Sequence, residues 1–308
     1  SPGSAEVTRQ PLADRLAPMS ARWSLVVPVK RLASAKTRLA GLAAERRAEL
    51  ALAFAADTVA AAADCPEVAA VVVVTSDPDA ATLLGGELGA LVVPDQPEAG
   101  LNPALRHGAA VTVDRWPEHP VAALSADLPA LRPAELGYAL AGASRYPRAY
   151  LADAAGTGTT LLTALSGVPL DPAFGPGSGA AHGGSGAVPL VAALAGSVGS
   201  VRRDVDTPAE LAQALLLGVG KHTVGVLASL ARMQATVRTF DPATRSGSVL
   251  LDDGTELPYD GAAFDAGGLR LLRFGQRVRI LVEGEGADTR VTFVTLAIPI
   301  RLEGSWIT

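Results

Sequence analysis

The sequence predicts an α/β protein: a mostly parallel sheet wrapped in helices, followed by a small all-β barrel. Three observations carry that prediction. From residue 24 to about 217, short and nearly continuous apolar runs alternate with longer helical stretches, the pattern of strands covered on both faces. After about residue 220, polar and apolar residues alternate and are punctuated by DP, SG, DG and EG pairs, which marks short antiparallel strands. The 308 residues are 49% hydrophobic but only 4% aromatic, with 19% charged. Such a chain builds a large core from Ala, Val and Leu and does not read as disordered.

The elements follow in order. "SLVVPV" (24–29), "VAAVVVVTS" (68–76), "ALVV" (90–93) and "VAALSA" (121–126) read as buried strands. Helices are expected over 44–63, near 78–86, near 102–115 and near 133–146. Pro133 suits a first helical turn, and Glu135 is favourable beside its positive end. A linker with a bridging helix is expected near 218–232, and the barrel from Met233 onward. The expected organisation is a tag and tail over 1–21, the α/β domain over 22–220, a linker over 221–232 and the barrel over 233–308. The opening "SPGSAEVTRQPLADRLAPMS" reads as an expression scar and tail, with no signal-peptide core and with Met19 as a candidate start. No run approaches about 18 uninterrupted apolar residues, which excludes a membrane span as an expectation. A single cysteine, Cys65, permits no internal disulfide or Cys-based metal site and suits a reducing, cytoplasmic setting.

Four groups of residues could carry chemistry. "LVVPVKRLASAKTRLAGL" (25–42) concentrates Lys30, Arg31, Lys36 and Arg38 just beyond the first strand of a chain whose formal net charge is −5. Ligands in open α/β sheets bind at the carboxyl ends of strands. Small residues between the cations would let the backbone fold around a phosphate. A solvated helix start explains the same residues equally well. Asp127 ends the fourth apolar run, where it either caps or orders a turn or helps to hold Mg²⁺. In "RRDVDTPAEL", Asp204 and Asp206 alternate along an extended segment and so share a side. Capping accounts for one aspartate there but not two, and three carboxylates at two strand ends fit a metal centre for phosphoryl chemistry. Finally, "GTGTTLL" and "DPAFGPGSGAAHGGSGAV" put Gly and Ser into a compact domain. The hydroxyls of Thr159 and Ser178 and the N–H of Gly175 would suit a small anion, although a surface loop is the plainer reading. His182 carries less weight, because a lone histidine is more often structural.

"VPVKRLASAKTRLA", "LNPAL", "SADLPAL", "GTGTT", "FGPGSGAAH" and "DVDTPAEL" together resemble the guanylyltransferases of deazaflavin coenzyme biosynthesis, over roughly residues 23–220. That family acts on phosphoenolpyruvate or 2-phospho-L-lactate. The resemblance implies a Rossmann-like nucleotidyltransferase fold and GMP transfer from GTP with release of pyrophosphate. It implies Mg²⁺ held by Asp127, Asp204 and Asp206, and GTP held by Lys30, Arg31, Lys36, Arg38 and Asn102. Thr159, Gly175 and Ser178 match the positions that hold the phosphorylated acid, and Lys30, Lys36, Arg38 and Asp127 are the expected catalytic groups. Phosphoenolpyruvate is the first expectation, with 2-phospho-L-lactate and 3-phosphoglycerate open. The chain departs from the family pattern at Ala126, where Gly is common, and at Gly179 and Ala181. A phosphate monoester is mostly a dianion near pH 7, since its second pKa is about 6. It can attack the α-phosphorus without a general base, so none need be found.

Residues 233–300 resemble a cold-shock domain, an OB-type five-stranded barrel. "MQATVRTFDPATRSGSVLLDDGTELPYDGAAF" tracks its first three strands and "LLRFGQRVRILVEGE" its fourth. Most of the aromatics on which such barrels stack bases are missing. From residue 233 there are eight Arg and no Lys against ten Asp and Glu. Nucleic acid is therefore the lesser reading for the barrel, behind packing, self-association or regulation. The alternatives to the guanylyltransferase expectation are nucleotidyl transfer to another phosphorylated acceptor, or nucleic-acid binding through the barrel.

Overall fold

A computed structural model describes residues 22–32, 39, 44–190, 194, 197–230, 233–283, 289–296, 300–302 and 305–307. The amino-terminal segment 1–21, Lys36 and Arg38 lie outside the described residues.

The first layer runs β1 (Trp23–Pro28), α1 (Ala44–Ala63), β2 (Val68–Val74), α2 (Pro78–Ala80), β3 (Leu91–Val93), α3 (Leu101–Arg115), β4 (Val121–Leu124) and α4 (Pro133–Ala143). It continues through β5 (Arg148–Ala152), β6 (Thr159–Ala164), α5 (Ser178–Gly184) and β7 (Val188–Pro189). Helix α2 runs directly into a π-helical stretch, Ala81–Glu87. The sheet order is β3-β2-β1-β4-β6-β5-β7. The pairs β1–β2, β1–β4, β2–β3 and β5–β7 are parallel, and β6 is antiparallel to both β4 and β5. The mostly parallel sheet is thus present, and the β5–β6 ribbon is an addition that the apolar runs did not announce.

Alternate residues of each strand feed opposite faces, which is why the runs are continuously apolar. Leu25, Val27, Val71 and Val73 enter one core with α1 and α4, while Val26, Val72 and Val74 enter a second core with α3. Chain order reverses beside β1, whose neighbours are β2 and β4. Such a switch opens a crevice at the carboxyl ends of the two strands. Here those ends lead into Lys30–Arg31 and into Asp127.

Beyond a 3₁₀ turn at Ser200–Arg202 comes α6 (Pro208–Leu217), then α7 (Lys221–Leu230) in the stretch expected as a linker. Buried Asp57 of α1 pins α7, accepting from His222 N (2.9 Å) and Thr223 N (2.9 Å). The carboxylate therefore satisfies backbone donors that a helix start leaves without partners.

The carboxy-terminal barrel comprises β8 (Met233–Asp241), β9 (Ser246–Leu251), β10 (Glu256–Tyr259), β11 (Arg277–Glu283) and β12 (Arg290–Leu296). It closes in the order β10-β12-β11-β8-β9. "GAAF", which the sequence reading grouped with the third strand, is instead the start of α8 (Gly261–Ala266). Asp260 caps it, with Oδ1 accepting from Ala263 N at 2.8 Å. Tyr259 and Phe264 are buried in the barrel core, and Phe240 stacks on Phe264 with ring centroids 5.0 Å apart. These rings fill the interior and do not form a stacking platform for bases. A short ribbon, β13 (Ile300–Leu302) with β14 (Ser305–Ile307), follows.

Candidate active site

Two carboxylate-bearing segments meet at the switch crevice. The N–H of Val205 donates to the carbonyl of Asp127 at 3.1 Å. Val205 is fully buried in a cluster with Leu50, Phe54, Ala130 and Ala214. Asp204 and Asp206, on either side of it, are only half-buried.

Neither segment uses its aspartates for helix capping. Thr207 is the N-cap of α6, and it forms a capping box with Glu210, whose Oε2 accepts from Thr207 N and Asp206 N (both 2.8 Å). At α4 the N-cap residue is Arg132, with Pro133 in the first turn and Glu135 behind it, so Asp127 is not that helix's cap. The turn around Asp127 is held instead by buried Thr58. Its Oγ1 accepts from Leu128 N (3.0 Å) and faces the carbonyls of Phe54 (2.8 Å) and Ala126 (3.2 Å).

The electrostatics follow from this packing. Burial pushes the Asp204 carboxyl up to about 7, and the charge of Asp127 reinforces the shift, with smaller contributions from Asp153 and Asp206. Negative charge concentrated out of water is relieved by a proton or by a bound cation. Among the described residues no three carboxylate, imidazole or thiolate groups converge into a ready-made cage. Mg²⁺ does not need one, because it keeps waters and takes substrate phosphate oxygens alongside one or two carboxylates. The donor set therefore fits that ion.

Asp153 is a residue that sequence reasoning missed. It closes the turn before β6, accepting from Thr157 N on Oδ1 and from Gly158 N on Oδ2, each at 2.9 Å. A Cβ at Gly158 would overlap Asp153 Oδ2, so a side chain there must displace that carboxylate. Arg202 clamps the same turn through the carbonyls of Ala152 (2.9 Å) and Asp153 (2.7 Å). The signal was present as "DAAGTG", an aspartate ahead of a glycine turn, but its partner Arg202 is 49 residues away.

The acid-binding candidates assemble beside that turn. Thr159 and Ser178 are buried, and Gly179 N donates to Thr157 O at 3.1 Å, which sets the start of α5 against the β6 entry. Gly175 has φ +136°, a conformation that an L side chain resists. Asn102 is engaged with this loop. Its Nδ2 donates to Phe174 O (2.9 Å) and its Oδ1 accepts from Phe174 N (2.8 Å). His182 is fully buried, and its Nε2 accepts from Ala173 N (2.9 Å). Its Nδ1 must then carry the proton, donating to Thr159 Oγ1 at 2.9 Å. Burial, then the charge of Arg148, lowers its pKa to about 4. His182 is therefore a neutral brace between Thr159 and the 173–178 loop.

At the basic loop, Lys30 and Arg31 are exposed, and Arg31 Nη2 meets Glu98 Oε1 at 3.2 Å. Asp77 Oδ2 accepts from Leu32 N (2.9 Å) and fixes the departure of the loop. Cys65 is buried with its thiol pushed up to about 11, which removes it as a nucleophile.

This arrangement matches one family. The family described as "Guanylyl transferase CofC like" matches residues 23–242. A phosphoenolpyruvate guanylyltransferase of Streptomyces coelicolor is 59% identical over 210 residues, covering 68% of this chain and 97% of that protein. One of Thermomonospora curvata is 57% identical over 208 residues, covering 68% of this chain and 90% of that protein. One of Streptomyces scabiei is 58% identical over 214 residues, covering 68% and 97%. With a crevice of aspartates at the β1/β4 switch and a family match spanning the whole sheet, the chain belongs to the CofC-like guanylyl transferases.

Proposed function

We propose that this protein transfers GMP from GTP to phosphoenolpyruvate and releases pyrophosphate. The observation that carries this reading is the crevice at the β1/β4 switch. In this reading Asp127, Asp204 and Asp206 lie between Lys30–Arg31 and the segments that carry Thr159, Gly175 and Ser178. Relatives carrying that activity in their names are 57–59% identical.

In this reading Thr159, Gly175 and Ser178 hold the acid so that its phosphate faces the crevice. A phosphate oxygen forms the new bond to the α-phosphorus of GTP, and the bond from that phosphorus to the α,β-bridging oxygen breaks. Lys30 and Arg31, with Lys36 and Arg38 of the same loop, neutralise the departing pyrophosphate. Mg²⁺ held by Asp127, Asp204 and Asp206 would neutralise α-phosphoryl oxygen charge when bound. Alignment does the remaining work, because the attacking dianion needs no base. Among the described residues no helix is long and apolar enough to cross a membrane. A buried free thiol and a nucleotide substrate fit a cytoplasmic setting.

The test is ³¹P NMR of a mixture of protein, MgCl₂, GTP and phosphoenolpyruvate. Paired diphosphate resonances of a guanylylated acid, growing with free pyrophosphate, are expected. Turnover with 2-phospho-L-lactate or 3-phosphoglycerate and none with phosphoenolpyruvate would reassign the acceptor.

A further inference from the structure

A cavity of about 420 Å³ lies outside the groups that the transferase reading uses. Arg106 and Ala109, one turn apart on α3, form one wall, and the 169–172 segment forms another. Arg148, the first residue of β5, lines it as well. Its level in the sheet is far from the crevice. Arg148 pairs with Ala164, which pairs with Val121 at the start of β4, whereas Asp127 follows the end of that strand. An extended chain covers roughly 20 Å between those two positions.

The walls carry cations without anionic partners. Arg148 Nη1 donates to Ser185 O (3.0 Å) and Ser185 Oγ (3.2 Å), and its Nη2 donates to the carbonyls of Leu170 (3.0 Å) and Asp171 (3.1 Å). All four acceptors are neutral. These bonds hold the guanidinium in place and leave its charge uncompensated. Arg106 is exposed and, among the described residues, makes neither a hydrogen bond nor an ion pair. A guanidinium presents paired donors in a rigid plane, the arrangement that matches a carboxylate. One that is already ordered loses little freedom when it binds.

The remaining lining narrows the class of ligand. Ala109, Pro169, Leu170 and Pro172 are apolar, so they suit a hydrocarbon body beside a charged head. Asp171 also lines the cavity, so two arginines and one aspartate leave a single net positive charge. That balance suits a monoanion and disfavours a phosphate dianion.

We propose that this cavity is a second binding site, which takes a small monoanionic carboxylate with an apolar body. The inference goes beyond GMP transfer and does not depend on it. The 169–172 wall runs on into the loop expected to hold the phosphorylated acid. Ala173 N donates to His182, and Phe174 N donates to Asn102, one turn before Arg106 on α3. A carboxylate bound in the cavity must therefore be told apart from one that enters the crevice.

The experiment titrates the full chain with para-fluorobenzoate and follows its fluorine NMR line width. The unmodified protein, Arg106→Gln and Ala109→Leu are compared, with and without saturating phosphoenolpyruvate and Mg²⁺, and with inorganic phosphate as competitor. Saturable binding is expected in the unmodified protein, persisting with phosphoenolpyruvate and with phosphate present. Arg106→Gln should weaken it by about tenfold or more, since a charged donor is lost. Thermal melts should show that this variant folds, because Arg106 has no partner to lose. Ala109→Leu fills the cavity from the same helix face and should abolish binding independently. No saturable binding to the unmodified protein overturns the site, as does displacement by phosphoenolpyruvate or equal affinity in the folded variants. Displacement by inorganic phosphate overturns the ligand class.

Discussion

The N–H of Val205 donates to the carbonyl of Asp127 across 3.1 Å, joining two segments that are 78 positions apart in the chain. That bond sets the spacing of the carboxylates, because Val205 is anchored in the core and Asp204 and Asp206 flank it. Replacing Asp127, Asp204 or Asp206 singly with Asn should lower kcat by about 10²–10³-fold. The fold should persist, since neither helix start depends on these side chains. Steady-state kinetics beside thermal melts check this, and a collapsed melt would place the loss in folding.

Thr58 supports the same turn from the far side of the core. Thr58→Val keeps the shape and leaves Leu128 N–H buried without its acceptor. A stability loss of about 1–3 kcal/mol is expected. The Mg²⁺ concentration for half-maximal activity should also rise, with Mn²⁺ binding followed by electron paramagnetic resonance on protein without substrate. Thr58→Ser retains the hydroxyl and should recover both. Equal Mn²⁺ affinity in all three proteins would limit Thr58 to packing.

His182 gives the protein an acid sensitivity whose sign is fixed by its environment. Its folded pKa is about 4, and its ordinary value is 6.5. Between those values the unfolded chain binds the proton and the folded chain does not. Stability from this group is complete above about pH 6.5 and is lost as pH falls towards 4. His182→Phe should flatten the dependence of Tm on pH across that window. It should also loosen the 173–178 loop, raising KM for the acid more than KM for GTP.

Gly158→Ala drives a methyl group into Asp153 Oδ2 and breaks the turn that leads into Thr159. The expected result is a KM for phosphoenolpyruvate raised by about tenfold or more, with GTP affinity unchanged by calorimetry. Gly156→Ala, in the same turn but with open space around the added atom, separates the clash from backbone strain, since its φ is +80°.

Local patterns in the sequence carried strands β1 to β4 and helices α1, α3 and α4. Pro133 announced α4 because helix starts are written within four residues. "LVVPV" announced a buried strand because both of its faces are apolar. What was not legible depended on distant partners. Nothing near Thr58 or Asp57 says that one braces the Asp127 turn and the other caps a helix 164 residues further on. Nothing near Asn102 says that its side chain pairs with the backbone of Phe174, 72 residues further on. The helix over 261–266 was missed because "GAAF" follows a strand with only Asp260 to signal the change.

The most direct measurement is pyrophosphate release from GTP with Mg²⁺ and phosphoenolpyruvate, 2-phospho-L-lactate or 3-phosphoglycerate in separate reactions, with ATP as the control nucleotide. Release with phosphoenolpyruvate and GTP, abolished by Asp204→Ala in a protein that still folds, is the predicted result. Silence with all three acids from folded protein, or undiminished release from Asp204→Ala, would contradict it.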